Sequence, residues 1–515
     1  MGMGKEVINF PMLNNYATNS NPLEKKLYQL IISRLNGEGI SSVSYQGEIF
    51  KLVRKGIGGF IIFGGKKDEV RHFIEKIQSI SETNLFIASD IERGVSQQIQ
   101  KSTIFPCQMA IAAAIEKNRP EDVTVIESAV KAIADEAKDI GINMPLIPVL
   151  DINQNPDNPI ICTRAFSDNP GDVAWFGSKY IKTLESSGLI SCAKHFPGHG
   201  DTSTDSHILL PVINKSYEDL MNMDIMPFRE AIKTGVSSIM IGHLSIPAID
   251  YKPASLSKKI ISGILREKLG FEGLVLTDAL NMNALKDIKN VSVQCIKAGA
   301  DILLHPVKAD LTVKELISAV RTGVIAEEQI DSTINRILKI KEKIKYDKQH
   351  FSYENHEKLS YLITEMSITI VKNTAGILPT SEGNKTHLVF CGDNKFFESS
   401  PLKTYFKDIS TITDTLELKN KIAIFAIFTS VAAWRGSSGI DEDEKDRINE
   451  LIGKAENSIV ISFGNPYILR YFKRADVLIA AYEPTEQAQK AVIKCLTGEM
   501  DFKGRLPVKL DIYAI

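Results

Sequence analysis

The chain has 515 residues, 43% hydrophobic and 24% charged, with 61 Lys and Arg against 63 Asp and Glu for a formal net charge of −2. At ~150 residues per domain this is enough for one large domain and a smaller one, and it is too apolar for a disordered or fibrous chain. The near-neutral balance gives no basic field for gripping a phosphate backbone, so no nucleic-acid partner is expected.

The first eleven residues, Met-Gly-Met-Gly-Lys-Glu-Val-Ile-Asn-Phe-Pro, hold no apolar run of signal-sequence length, and no stretch of ~18 apolar residues follows. A cytoplasmic chain without a membrane partner is the expectation. Short β-rich apolar runs at 59–63, 85–89, 143–149, 190–193, 238–241, 274–276 and 301–304 alternate with helix-period stretches at 121–140, 173–187, 220–234, 258–269 and 291–299. Such alternation marks a parallel sheet covered by helices. Seven or eight repeats over ~300 residues favour an α/β fold of the (β/α)8 TIM-type barrel over an open doubly wound sheet.

Residues 325–346 read as a closing helix, with Ile330, Ile334, Ile337, Leu338 and Ile344 at helical spacing and lysines on the other face. Segment 347–358 reads as a linker and 359–371 as a connecting helix. Strands at 387–391, 422–428, 458–463 and 477–481 then mark a second, smaller C-terminal α/β sandwich domain. The expected division is a TIM-barrel catalytic domain over 1–346, a linker and connecting helix over 347–372, and the C-terminal α/β domain over 373–515.

The six cysteines lie far apart with no Cys-x-x-Cys pair, which argues for reduced thiols rather than a zinc ribbon or disulfide framework. Reactive side chains concentrate in Lys194-His195-Phe196-Pro197-Gly198-His199-Gly200-Asp201-Thr202-Ser203-Thr204-Asp205-Ser206-His207, which carries three of the nine histidines. This run follows an expected strand, so it belongs to the loops at the C-terminal end of the barrel, where active sites of that fold are built. In Asp205-Ser206-His207 a carboxylate two residues from an imidazole can accept one ring N–H and orient the other ring nitrogen. His195, His199, Asp201, Asp205 and His207 are also possible metal ligands, but their spacing matches no zinc signature; no metal and no cofactor is expected.

A second segment, Leu274-Val275-Leu276-Thr277-Asp278, is an apolar strand ending in Thr-Asp. Asp278 suits a nucleophile or base at the barrel mouth, and it equally suits a helix N-cap. Strand-end polar groups recur at Asp90, Glu92, Asp151, Arg164 and His243. Carboxylates with an arginine and a lysine at one mouth describe a neutral polar ligand such as a sugar, held by directional hydrogen bonds.

The run Lys194 to Gly200 followed by Asp205-Ser206-His207 resembles the signature loop of bacterial β-N-acetylhexosaminidases of glycoside hydrolase family 3, the NagZ-like branch. The resemblance extends over Pro148-Val149-Leu150-Asp151-Ile152-Asn153, Asn158-Pro159-Ile160, Thr163-Arg164-Ala165-Phe166, Leu265-Arg266-Glu267-Lys268-Leu269-Gly270-Phe271-Glu272-Gly273 and Thr277-Asp278-Ala279-Leu280. It reaches the smaller domain in Gly464-Asn465-Pro466-Tyr467 and Gly504-Arg505-Leu506-Pro507-Val508, in the two-domain form of that family.

The resemblance implies a retaining exo-β-N-acetylglucosaminidase acting on terminal β-linked GlcNAc, with peptidoglycan-derived muropeptides as the source. Asp278 would be the nucleophile, His207 the acid-base and Asp205 its orienting partner, while Asp90, Arg164, Lys194 and His195 would hold the sugar. A histidine with an ordinary pKa of ~6.5 can exchange protons near neutral pH, although most retaining glycosidases use a second carboxylate. One departure stands out: many members read Asp-Gln-Glu-Gly-Gly-Arg-Val-x-Arg where this chain reads Asp90-Ile91-Glu92-Arg93-Gly94-Val95-Ser96-Gln97-Gln98. Gln98 thus stands where an arginine often contacts the sugar, and Ala433-Trp434-Arg435-Gly436-Ser437-Ser438-Gly439 is either a replacement or a surface turn.

The alternatives are a β-N-acetylglucosaminide phosphorylase, since a neutral histidine does not repel an incoming phosphate, a β-glucosidase, a metal-dependent hydrolase that a chelator would reveal, and a non-catalytic sugar-binding protein. Beyond a small carbohydrate substrate, the expected state is a monomer or weak homo-oligomer.

Overall fold

A computed structural model of the chain describes residues 22–204, 209–346, 350–380, 385–413, 415–431 and 439–512. Short runs rich in Ile, Leu, Val and Phe supply the first lobe's strands: β1 (Ile31–Asn36), β2 (Gly59–Phe63), β3 (Phe86–Ser89), β4 (Met144–Pro145), β5 (Cys192–Phe196), β6 (Ser238–Ile241), the hairpin β7 (Ser245–Ile246) and β8 (Asp250–Pro253), β9 (Leu274–Thr277) and β10 (Leu303–Leu304). Outside the hairpin every pairing is parallel, in the orders β10-β1-β2-β3-β4 and β5-β6-β9. Single parallel bridges from Val149 to Lys194 and from Leu276 to Ile302 join the two sheets, so the pairing runs in a cycle. All residues of β3, β5, β6 and β9 are buried, as strands covered on both faces must be.

The connecting helices begin and end at local signals. In the helix Pro170–Ser186 the Asn169 side chain accepts from the N–H groups of Gly171 and Asp172 at 2.8 and 3.2 Å, and Pro170 occupies the first turn, where its missing N–H costs nothing. The expected helix over 220–234 is instead two, Tyr217–Asn222 and Met226–Thr234, with Pro227 opening the second. Residues 258–269 form a wide helix of π type, Lys259–Lys268. The closing helix is shorter than 325–346 and spans Glu327–Lys341.

Helix Tyr353–Ser367 starts inside the expected linker and stops before residue 371, because the β-branched run Thr369, Ile370 and Val371 enters strand β11 (Thr369–Asn373). The remaining strands are β12 (Thr386–Gly392), β13 (Ile409–Thr411), β14 (Ile422–Phe428), β15 (Asn457–Phe463) and β16 (Val477–Ala480), in the order β11-β16-β15-β14-β12-β13. Only β11 runs antiparallel to its neighbour in this sheet.

Alternate residues of β12, β14 and β15 feed two apolar clusters. One packs Phe425, Ile427 and Val460 together with Cys107, Met109 and Cys162 of the first lobe; the other packs Phe390, Ile424 and Ile461 against helix Glu486–Thr497. Each fully buried Ile or Phe contributes about 1.5–3 kcal/mol, so the first cluster docks the lobes as well as filling the second. All six cysteines are buried free thiols. Among the described residues no helix is long and apolar enough to cross a membrane.

Candidate active site

A cavity of about 970 Å³ lies between the lobes. On the first-lobe side its wall comes from residues at or just beyond the C-terminal ends of parallel strands: Phe63 of β2, Asp90 and Glu92 after β3, Lys194 and His195 in β5, Asp278 after β9 and His305 after β10. The second lobe also presents strand C-termini, through Lys395 and Phe396 after β12, Thr429 and Ser430 after β14, and Glu483 after β16. Ligands of parallel α/β sheets bind at this edge.

β5 pairs with β6 at Cys192 to Ser238 and Ala193 to Ile239, then shifts so that Phe196 faces Ile241. Two residues thus oppose one, a bulge that suspends the alternation of faces and lets the consecutive side chains of Lys194 and His195 both reach the cavity. The ring of His195 is fixed from behind: its Nδ1 is 2.7 Å from Oδ2 of the fully buried Asp151. The other Asp151 oxygen accepts the backbone N–H groups of His195 and His199 at 3.2 and 2.7 Å. Burial pushes the Asp151 carboxyl up, but His195 and His199 outweigh it and hold it below the usual carboxylate range. His199 is pushed down to about 4 by its own burial, so it is a neutral ring in ordinary conditions, with Nδ1 2.8 Å from the Thr202 hydroxyl.

A second network binds charge to charge. Lys194 Nζ lies 2.8 Å from both Asp90 Oδ1 and Glu92 Oε1, and Arg164 grips Glu92 with two bonds of 2.8 and 2.7 Å. Burial alone would raise the Glu92 carboxyl, yet Arg164 and Lys194 hold it far below its ordinary value; Asp90 and Glu92 correspondingly keep the buried Lys194 ammonium charged. The four side chains form a rigid, ionised wall able to donate and accept hydrogen bonds to hydroxyls.

Asp278 is half-buried, its N–H donating to Ile241 O at 3.0 Å and its Oδ1 accepting from Ala279 N at 2.7 Å. It caps no helix; the next helical turn, Asn283–Leu285, starts after Met282. Of the residues singled out from sequence, Asp90, Arg164, Lys194, His195 and Asp278 line the one cavity, whereas Asp205 and His207 lie outside the described residues. Gln98 lines it too, with Nε2 donating to the Asp90 carbonyl at 3.3 Å, and residues 433–438 lie outside the described residues. Among the described residues no group of three or more His, Cys, Asp or Glu is arranged to hold a metal ion.

The Glycosyl hydrolase family 3 N terminal domain matches residues 22–340. Beta-hexosaminidase A of Pseudoalteromonas piscicida is 33% identical over 413 residues, 72% of this chain and 68% of that protein. The chain belongs to glycoside hydrolase family 3. A beta-N-acetylglucosaminidase/beta-glucosidase of Cellulomonas fimi is 26% identical over 88% of each chain. The solved family 3 beta-N-acetylglucosaminidase of Paenibacillus sp. str. FPU-7 superposes with a TM-score of 0.80 at 28% identity, covering 96% of this chain and 99% of that one. These likenesses place the chain among the NagZ-like, β-N-acetylhexosaminidase-type glycoside hydrolases of the family.

In this family 3 enzyme the residues missed from sequence are those that support or complete the wall. Asp151 and Glu92 were visible as polar strand ends and within the family runs but without a role, and their partners lie 44 and 72 residues away. Arg93, Glu483, Lys395 and Phe396 carry no motif. Four of the second lobe's five parallel strands, those legible in the sequence and each followed by a polar turn, held the available signal. Gly464, at φ +138°, lets the turn after β15 close on the one after β14: a Cβ there would sit 2.3 Å from Thr429 Oγ1.

Proposed function

We propose that this enzyme is a retaining exo-β-N-acetylglucosaminidase that removes terminal non-reducing β-linked GlcNAc, with peptidoglycan-derived muropeptides in the cytoplasm as its source. The observation that carries the reading is that Asp278 lines one cavity with Asp90, Arg164, Lys194 and His195. An Asp278 carboxylate oxygen attacks the anomeric carbon as the glycosidic bond breaks, and His207, oriented by Asp205, gives the leaving oxygen its proton. His207 then takes a proton from water as that water displaces Asp278, restoring both groups. Asp90, Lys194 and Arg164, the last through Glu92, hold the hydroxyls. Cyclic pairing of the parallel strands supports reading the first lobe as a (β/α)8 barrel within 1–346, followed by a linker and connecting helix over 347–372 and a C-terminal α/β domain over 373–515.

Release of p-nitrophenol from the β-GlcNAc and β-glucose glycosides, each with and without phosphate and with product analysis, tests the reading. Phosphate-independent release of free GlcNAc is the expected result. GlcNAc-1-phosphate as the main product would overturn hydrolysis in favour of phosphorolysis, and loss of turnover with a chelator would point to a metal.

A further inference from the structure

Two arginines of the family run Asp-Gln-Glu-Gly-Gly-Arg-Val-x-Arg are absent here: their places hold Val95, fully buried in the core, and Gln98. A different arginine, Arg93, stands where that run has glycine. Its backbone is fixed on both sides, the N–H donating to Gln97 Oε1 at 2.9 Å and the carbonyl accepting from Phe105 N at 2.7 Å, so the side chain is committed to the cavity it lines.

The Arg93 side chain is 31% exposed. Nε and Nη2 are both buried, and neither makes a hydrogen bond among the described residues. Nη2 is 2.9 Å from Glu483 Oε2, within ion-pair distance. Glu483 belongs to the second lobe and is itself buried; its other oxygen accepts Cys107 N at 2.5 Å. The pair therefore cancels its charge while the exposed part of the Arg93 side chain lines the cavity. With Glu483 supplying the counter-charge, the fitting acceptor is uncharged.

We propose that Arg93, positioned by Glu483 of the second lobe, reads an uncharged acceptor oxygen of the bound sugar, a hydroxyl or the acetamido carbonyl. The inference rests on the reading of this cavity as the sugar site. It gives the second lobe a part in sugar binding through a residue that the family run does not contain.

Steady-state kinetics of the full chain on the p-nitrophenyl β-GlcNAc and β-glucose glycosides test it. Arg93→Met should raise KM at least about tenfold, the equivalent of one lost hydrogen bond to a charged donor, with kcat changed less. Arg93→Lys should recover part of the loss. Glu483→Gln keeps an acceptor for Cys107 N and removes the counter-charge; it should raise KM by itself and add little on top of Arg93→Met. That double variant buries no unpaired carboxylate, which guards against a folding defect. An effect confined to the GlcNAc glycoside assigns the contact to the acetamido carbonyl, and an effect on both assigns it to a hydroxyl. A KM within twofold of the parent for a folded Arg93→Met overturns the proposal and leaves the sugar site standing, whereas no turnover of either glycoside by the parent overturns the sugar site itself.

Discussion

The Nδ1 atom of His195 stands 2.7 Å from Oδ2 of Asp151, a carboxylate with no exposure to solvent. Because an ionised carboxylate only accepts, Nδ1 carries the proton, and in the neutral tautomer that this fixes, Nε2 is the acceptor. Asp151→Asn presents an amide N–H₂ to Nδ1 and forces the other tautomer, so Nε2 becomes a donor. We expect kcat/KM to fall at least about tenfold, since a reversed hydrogen bond costs ~1.4 kcal/mol or more. The carboxyl is held below its ordinary range, so the stability it contributes is present at neutral pH and fades as acid protonates it. The variant should therefore lose part of the acid-side fall in melting temperature, and identical pH profiles for the two proteins would contradict this.

Turnover should depend on Asp278 and His207 in different ways. Asp278→Asn is expected to lose at least ~100-fold in kcat on every glycoside, because no substrate replaces the nucleophile. In kcat/KM, which reports formation of the glycosyl-enzyme and not its hydrolysis, His207→Ala should lose at least ~100-fold on a disaccharide and clearly less on the p-nitrophenyl glycoside, whose leaving group needs little protonation. Equal losses of His207→Ala on both substrates would remove it from the acid role.

Gly200 approaches the backbone of residue 152 so closely that a Cβ would lie 1.7 Å from the Ile152 carbonyl oxygen, and its own carbonyl accepts from Asn155 N at 3.3 Å. Gly200→Ala must push apart the loop after β5 and the segment that carries Asp151. Overpacking of this kind costs about 1–3 kcal/mol. We expect a lower urea midpoint together with reduced kcat. An unshifted midpoint would mean that the loop relaxes freely.

Much of this geometry was legible locally, and what was not has a physical reason. Asp278, Lys194 and His195 sit where an apolar run meets polar residues, a pattern a sequence displays directly. Strand β1 escaped because Leu27, Leu30 and Ile31 continue the helical spacing of the preceding turn, so the change of period is hidden. The helix expected to run to residue 371 overshot because Thr369 and Ile370 are apolar enough for either state, and pairing with β16 decides for a strand. The pair of Arg93 and Glu483 joins residues far apart in sequence, and no local pattern signals such a contact.

Lys341 offers a readout independent of the cavity. It is buried, with Nζ donating to Gln29 Oε1 at 2.9 Å and lying 4.9 Å from the centre of the Phe86 ring, and burial pushes its ammonium down to about 7. The unfolded chain therefore holds a proton on this residue, between about pH 7 and the ordinary lysine range, that the folded chain has released. In that window the stability owed to this group rises with pH, by up to about 1.4 kcal/mol per unit, while below pH 7 both states are charged and the full penalty of burying the ammonium applies. Lys341→Met removes the penalty and leaves one amide oxygen to find another donor. Compared by chemical denaturation, the variant should exceed the parent most at pH 7 and lose that advantage steadily toward pH 10, and parallel curves would show that the buried amine does not titrate there.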